Sequence, residues 1–259
     1  MADASVISLS AGRLRIDPGT TPVLTAAFSL IGAIYFNANT INGDYHVPFQ
    51  LWNSGTTATY FELYRTPPDD ANPNDLYLFY RTAGGGQDVN IADSSVAYGH
   101  WIHIAWTQSA ALAGNFYAAF EGFAATPTYL ITPSRGTIVN ASTRIEAWTE
   151  KDQATITVAT SIRQAHLIAA EAELTEAQVL SQWRQRAPTS TVTAVDNLYL
   201  ACNDAANVED DQGSPGTNWT KTGTFAAALG QPSEWGGMPP LLLDSHYRLL
   251  RGDFPHLRM

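Results

Sequence analysis

The run His100-Trp101-Ile102-His103-Ile104-Ala105-Trp106-Thr107 decides the fold, together with Asn115-Phe116-Tyr117-Ala118-Ala119-Phe120-Glu121-Gly122-Phe123, which follows a link of small residues. Each half repeats its bulky apolar residues at period two, the spacing of a strand whose two faces meet different surroundings. Ile102, Ile104 and Trp106 fall on one face of the first half, and Phe116, Ala118 and Phe120 on one face of the second. The link Gln108 to Gly114 holds three alanines and a glycine, and Glu121-Gly122 is a turn pair that ends the second half. The pattern predicts a central antiparallel hairpin inside a β-sandwich.

Outward from the hairpin the chain keeps the same grammar. Ser5 to Ile16 alternates apolar and polar residues and stops at Asp17-Pro18-Gly19, which predicts an opening strand or pair of strands. Ala26 to Phe36 is strongly apolar with imperfect alternation, as expected of a strand covered on both faces. Val47 to Trp52, Thr59 to Arg65, Leu76 to Thr82 and Gln87 to Ala92 are further strands, divided by Gly-, Pro-, Asn- and Asp-rich turns. The proline- and aspartate-rich loop 66–75 is long enough to be a surface feature at one rim. Beyond the hairpin, Thr128 to Thr132, Thr143 to Trp148, Ala154 to Ala169 and Leu198 to Ala201 read as strands. One helix is expected over about 175–186: Thr175 suits an N-cap, Gln178 completes a capping box, and Val179, Leu180 and Trp183 share a face.

The Trp, His-Ile-Ala-Trp-Thr, glycine-link and acidic-Gly pattern of the hairpin resembles the laminin G-like, concanavalin A-like jelly rolls. Ala119 stands where that pattern usually has an aromatic. Leu174-Thr175-Glu176-Ala177-Gln178-Val179, placed after the strand-like Ile162 to Ile168, resembles the same family, and the two motifs span about residues 100–186. Thr217 to Phe225 is similar to the strand that returns such a jelly roll to its N-terminal edge. The resemblance implies an all-β fold: a two-sheet antiparallel jelly-roll sandwich over 1–230 with one short rim helix, followed by an extended C-terminal arm over 231–259.

Composition narrows the function. The formal net charge is −10 with two lysines, Lys151 and Lys221, so a phosphate backbone would be repelled and nucleic acid is excluded as a partner. Cys202 is the single cysteine, so no internal disulfide is expected. The opening Met-Ala-Asp-Ala-Ser-Val has no basic n-region and no apolar run, which predicts no signal peptide, and no stretch is apolar enough to insert in a membrane. Glu171, Glu173 and Glu176 are the nearest approach to a glycanase acid pair, but they lie where a helix start favours carboxylates anyway. No nucleophile elbow or phosphate loop is present, and the expectation is of no enzymatic activity and no catalytic residue.

Three sets of residues are candidates for binding. Asp204, Glu209, Asp210 and Asp211 supply hard oxygens without a compensating base, so calcium is the one cofactor for which a place can be named, although their spacing fits no loop signature. Trp52, Tyr60 and Tyr64 are candidate sugar-stacking rings. Leu241, Leu242, Leu243, Tyr247, Leu250 and Phe254 make the arm apolar, and with three arginines it carries +1 over 241–259. Jelly rolls that resemble this one occur in tailed-phage virions. The expectation is therefore a virion structural protein, a capsid decoration or fibre- or tail-associated subunit made in the host cytoplasm. It would dock on other subunits, as a homo-oligomer, through sandwich edges and the arm; a carbohydrate-binding module for surface glycan is the alternative.

Overall fold

The structure is a computed structural model that describes residues 5–16, 27–37, 45–52, 59–82, 85–92, 99–111, 113–120, 128–129, 144–149, 162–183, 185, 187–213 and 219–228, with the backbone alone at 8, 10, 11, 52, 59, 60, 81, 82, 92, 128, 129 and 149. The strands are β1 (Ser5–Ile16), β2 (Phe28–Phe36), β3 (His46–Trp52), β4 (Thr59–Arg65), β5 (Leu76–Thr82), β6 (Gly85–Ala92), β7 (Trp101–Gln108), β8 (Gly114–Phe120), β9 (Thr128–Tyr129), β10 (Arg144–Thr149), β11 (Ile162–Ala170), β12 (Asn197–Leu200) and β13 (Thr220–Ala228). Two helices are described, α1 (Glu176–Trp183) and α2 (Ser190–Thr193). No described helix is long and apolar enough to cross a membrane.

All described pairings are antiparallel, in the order β6-β5-β4-β3-β10-β1-β11-β2-β7-β8-β9, with β12 beside β11 and β13 beside β1. The all-β expectation holds, and the two layers are joined through β1. Its Val6 and Ile7 pair with β11, whereas Leu14 to Ile16 pair with β10. Register shifts between Ser8 and Ser10 and between Ser10 and Arg13 let the strand bend from one layer to the other. β13 follows β1 along its length, from Ser5 opposite Ala228 to Arg15 opposite Thr220, so the closing strand returns to the N-terminal edge as expected.

The space between the layers is filled by the alternating residues of both. Phe49, Leu51, Phe61, Leu63, Leu76, Leu78 and Tyr80 from one layer meet Leu30, Ile34, Ile102, Ile104, Trp106 and Phe116 from the other. Trp106 lies at the centre, with ring centroids 4.8 Å from Phe61 and 6.3 Å from Tyr80. Trp148 breaks the alternation: at φ 53° its indole turns into this core, where Nε1 donates to the Ile162 carbonyl at 3.1 Å.

The helices cover the outer face of the β11-β2-β7-β8 layer. Leu174, Val179, Trp183 and Val192 pack on Ile31, Ala105, Ile168 and Tyr117, which explains why β2 and β7 are apolar on both faces. Half of the capping box forms: Gln178 Oε1 accepts from the Thr175 N–H at 2.8 Å and from the Thr175 hydroxyl at 3.0 Å. Sequence reading stopped at one helix. Between the two, buried Gln182 accepts from the Thr189 N–H at 2.8 Å and donates to the Ala187 carbonyl at 2.9 Å, so one amide organises the turn. His103, on the central strand, and His166, isolated in sequence, are both buried in this layer, and His103 lies 6.0 Å from the Trp183 ring.

One core position is at odds with its surroundings. Gln164 on β11 is fully buried between Val6 and Ile34, both core residues, and neither its amide nitrogen nor its oxygen has a hydrogen-bond partner among the described residues. A buried amide without partners opposes folding, because the unfolded chain offers it water. Gln164→Leu is expected to raise unfolding stability by about 1–2 kcal/mol, read as a higher urea midpoint at constant m-value. An unchanged or lowered midpoint would show the amide to be satisfied within the fold.

Candidate functional site

Alternation that sends Phe49, Leu51, Phe61 and Leu63 inward sends Gln50, Glu62 and Tyr64 to the opposite face of the same layer. Cross-strand register aligns these residues into two rows. One runs Arg15–Glu146–Gln50–Glu62–Phe79–Asp88 across β1, β10, β3, β4, β5 and β6. The neighbouring row runs Tyr64–Tyr77–Asn90.

The first row begins as a buried polar network. Glu146 receives Arg15 at 2.6 Å, Arg13 at 3.5 Å and Arg144 at 3.8 Å on Oε1, while Gln50 Nε2 donates to its Oε2 at 2.5 Å. Burial, opposed by Glu146 and helped by the two neighbouring arginines, lowers the Arg13 pKa from its ordinary value. Glu146 and Glu62 face the same side of the layer from strands separated by one other, with Gln50 between them. That arrangement suggests an acid pair, yet both carboxylates are fully buried, whereas a glycosidase acid must reach the glycosidic oxygen. Glu171 and Glu173, on the approach to α1, and Glu176, its first residue, lie apart from this face, and burial followed by the charge of Asp196 raises the Glu171 pKa.

Toward β5 and β6 the same face opens to solvent. Phe79 and Tyr77 are half-buried, and Asp88 and Asn90 are exposed. Phe79 lies against the Gly86 backbone, where a Cβ would collide with its ring. Tyr77 stacks on Tyr64 at 5.5 Å with an interplanar angle of 11°, and Tyr45 meets Tyr64 edge-on at 5.7 Å. The phenol of Tyr64 donates to Asp88 at 2.8 Å and that of Tyr45 to Asp70 at 2.7 Å. The hydrogen bond to Asp70, then burial, then the charges of Asp70, Asp69 and Asp88 push the Tyr45 pKa up to about 12; burial and Asp88 push that of Tyr64 higher still. Both phenols are therefore neutral donors at ordinary pH.

The loop 66–75 that carries Asp70 is firmly built. The Thr66 hydroxyl donates to the Asn72 carbonyl at 2.5 Å and accepts from the Asp75 N–H at 2.9 Å; Asp70 Oδ1 accepts from the Asn72 N–H at 3.1 Å. Arg65, fully buried, ties the loop to the other layer by donating to Asn74 Oδ1 at 2.5 Å and to the Asn37 carbonyl at 2.9 Å. Asn90 donates to Asp75 at 2.9 Å and fastens the loop to β6. The arrangement presents half-exposed aromatic rings beside fixed carboxylate and amide groups.

Of the sugar-stacking candidates, Tyr64 is not an accessible platform: its ring is 4 % exposed, covered by Tyr45 and Tyr77. The accessible ring is its cross-strand neighbour Tyr77, which no local sequence signal singles out. The side chains of Trp52 and Tyr60 lie outside the described residues, as do the arm residues Leu241, Leu242, Leu243, Tyr247, Leu250 and Phe254.

The calcium candidates are corrected on one point, the supposed lack of a base. Lys221 reaches Glu209 at 2.6 Å and the Ala206 carbonyl at 2.7 Å. Asp204 accepts from the Ala206 N–H and from Asn207 Nδ2, each at 2.9 Å, and these bonds lower its pKa, that from Asn207 most. Asp211 accepts from the Tyr199 N–H at 2.7 Å and the Gly213 N–H at 2.9 Å. The Asp210 N–H closes a turn on the Asn207 carbonyl at 3.2 Å. The carboxylates of Asp204, Glu209 and Asp211 thus bind groups of the segment 199–221, and no group of three or more His, Cys, Asp or Glu side chains among the described residues is arranged to hold a metal ion.

No protein-family model matches this chain, and no curated protein matches it. Solved structures similar to it include the native heptameric SAP-like pentraxin from Limulus polyphemus, 12% identical, covering 86% of this chain and 94% of that one at a TM-score of 0.49. Domains LG4-5 of the mouse laminin alpha1 chain are 10% identical over 78% of this chain and 48% of that one, at 0.40. The alginate lyase from Klebsiella pneumoniae is 10% identical over 57% of this chain and 61% of that one, at 0.41.

Proposed function

We propose that this chain is a non-enzymatic interaction module that binds saccharide on the open end of the β5–β6 face. The observation that carries the reading is the half-exposed Tyr77 and Phe79 pair, two residues apart on one strand and flanked by exposed Asp88 and Asn90 on the next. Aromatic faces supply stacking area for a sugar ring, and carboxylate and amide groups fixed at their edge supply hydroxyl partners. The burial of Glu62 and Glu146 supports binding without hydrolysis.

A virion is the setting we propose for this module, as a capsid decoration or fibre- or tail-associated subunit. The sandwich edges and the arm 231–259 would dock on neighbouring copies or other virion subunits, leaving the β5–β6 end outward. The small share of charged residues, 15% of the chain, and the apolar arm support that reading.

A broad glycan array with the full-length chain tests the binding role. Retention on at least one saccharide class is expected, weakened by about tenfold or more in Tyr77→Ala, which removes one stacking ring while leaving the core untouched. Silence of the wild-type chain across the array, or retention undiminished in Tyr77→Ala, would overturn it.

A further inference from the structure

A strand that ends a layer turns a row of backbone N–H and C=O groups outward, and such a row pairs with another strand unless it is covered or charged. β12 is covered: the Tyr199 N–H donates to Asp211 Oδ1 at 2.7 Å and its carbonyl accepts from the Gln212 N–H at 2.8 Å. β6 is charged, with exposed Asp88 in its middle, and β9 is two residues long. Among the described residues β13 is guarded at its start alone, where the Trp219 N–H donates to the Glu209 carbonyl at 2.9 Å and Lys221 pairs with the Glu209 carboxylate. From Thr222 to Ala228 it carries no charge and no proline. It pairs with β1 and with no other described strand, and Thr222, Gly223, Thr224 and Ala227 are exposed. Its end, Phe225 to Ala228, lies in unbroken register with Ser8 to Ser5, and Phe225 meets Trp148 edge-on at 5.2 Å, so this edge is held straight.

We infer that the β13 edge, from Thr222 to Ala228, pairs antiparallel with the same edge of a second copy of this chain about a two-fold axis. The inference rests on the docking reading above and names the edge and the partner. Charge decides for a second copy. A two-fold contact sets a stretch against itself, so a chain of net charge −10 needs an uncharged edge for it; β13 supplies one, where β6 would bring two Asp88 carboxylates together. Leu9 of β1, 50% exposed at the register shift beside Phe225, adds apolar area next to the seam. Antiparallel pairing also sets Ala228 of each copy toward the start of the other's β13, so the chain after Ala228 departs beside its neighbour, where an apolar arm has a surface to cover. A strand pair of this length buries less than a standard interface, so the association is weak.

Sedimentation velocity of the full-length chain over about 5–500 µM tests this, with a monomer–dimer equilibrium of dissociation constant about 10–100 µM expected. Ala227→Lys and Ala227→Glu change an exposed side chain on the seam and are expected to leave the circular dichroism of the fold as it is. Each is expected to raise the dissociation constant about tenfold. An equimolar mixture of the two is expected to return it to within about threefold of wild type, because opposite charges then face each other across the axis. Glu173→Lys, a charge change at an exposed position before α1, is expected to leave it unchanged. Losses in both Ala227 variants that mixing does not restore would overturn the two-fold pairing, as would an equal change in Glu173→Lys, which would mean that overall charge sets the association. Dimers undiminished in both Ala227 variants overturn the β13 assignment and leave docking between copies standing. A monomer at every concentration overturns both, and the saccharide reading is tested separately by the array.

Discussion

Gly114→Ala is expected to destabilise the fold by about 3 kcal/mol, more than its size suggests for one methyl group. Gly114 opens β8, and the six-membered ring of the Trp106 indole lies directly over its backbone; a Cβ built there would overlap the ring well inside van der Waals contact. The indole has nowhere to retreat, because Phe61 and Tyr80 of the opposing layer press on it from the other side. Close-packed interiors answer such an insertion with off-rotamer side chains or backbone shifts. The assignment to this contact is testable by a double-mutant cycle. Trp106→Phe withdraws the outer ring, so adding Gly114→Ala to it should cost less than about 1 kcal/mol, a strong coupling between the two positions. Additive losses in urea unfolding would show that the glycine matters through backbone freedom alone.

That pair also shows where sequence reading stops. Period-two alternation gave β4 and β5 to the residue, because a strand buried on one face must repeat every second side chain. The start of α1 was legible because the Thr175–Gln178 signal is local, and the returning β13 through the resemblance of Thr217 to Phe225 to a jelly-roll closing strand. Gly114 read as part of a link of small residues because its partner, Trp106, becomes its neighbour only through the β7–β8 register. Trp148 should face outward by alternation, and a positive φ, invisible in a list of residues, brings it into the core. The candidate site is non-local throughout: Tyr45, Tyr64, Tyr77 and Asp88 come from four separate segments, and only their pairing buries one ring and exposes another. Lys221 and Glu209 likewise meet only because β13 returns beside the turn at 204–210.

The second large effect concerns acid. His46, 1 % exposed, lies directly opposite Arg65 in the β3–β4 pair, and burial, reinforced by the arginine charge, holds its pKa down at about 4 against an ordinary value of 6.5. Between those values the unfolded chain binds a proton that the folded chain refuses, so acidification favours unfolding. The stabilising contribution is whole above pH 6.5 and is lost as the pH falls toward 4, and a depression of this size corresponds to about 3 kcal/mol. Carboxylates titrate in the lower part of the same window, so the measurement is the difference between wild type and His46→Gln, taken from urea unfolding at pH 7.5 and 4.5. The wild-type chain is expected to lose about 2–3 kcal/mol more over that interval than the variant, whose amide cannot take up the proton. Equal losses would place His46 outside the acid response. Because Arg65 ties the loop 66–75 to the Asn37 carbonyl, the charge forced on His46 acts where that loop is anchored, and hydrogen exchange at the Thr66 and Asp75 amides should accelerate below pH 5 before the core amides of β7 do.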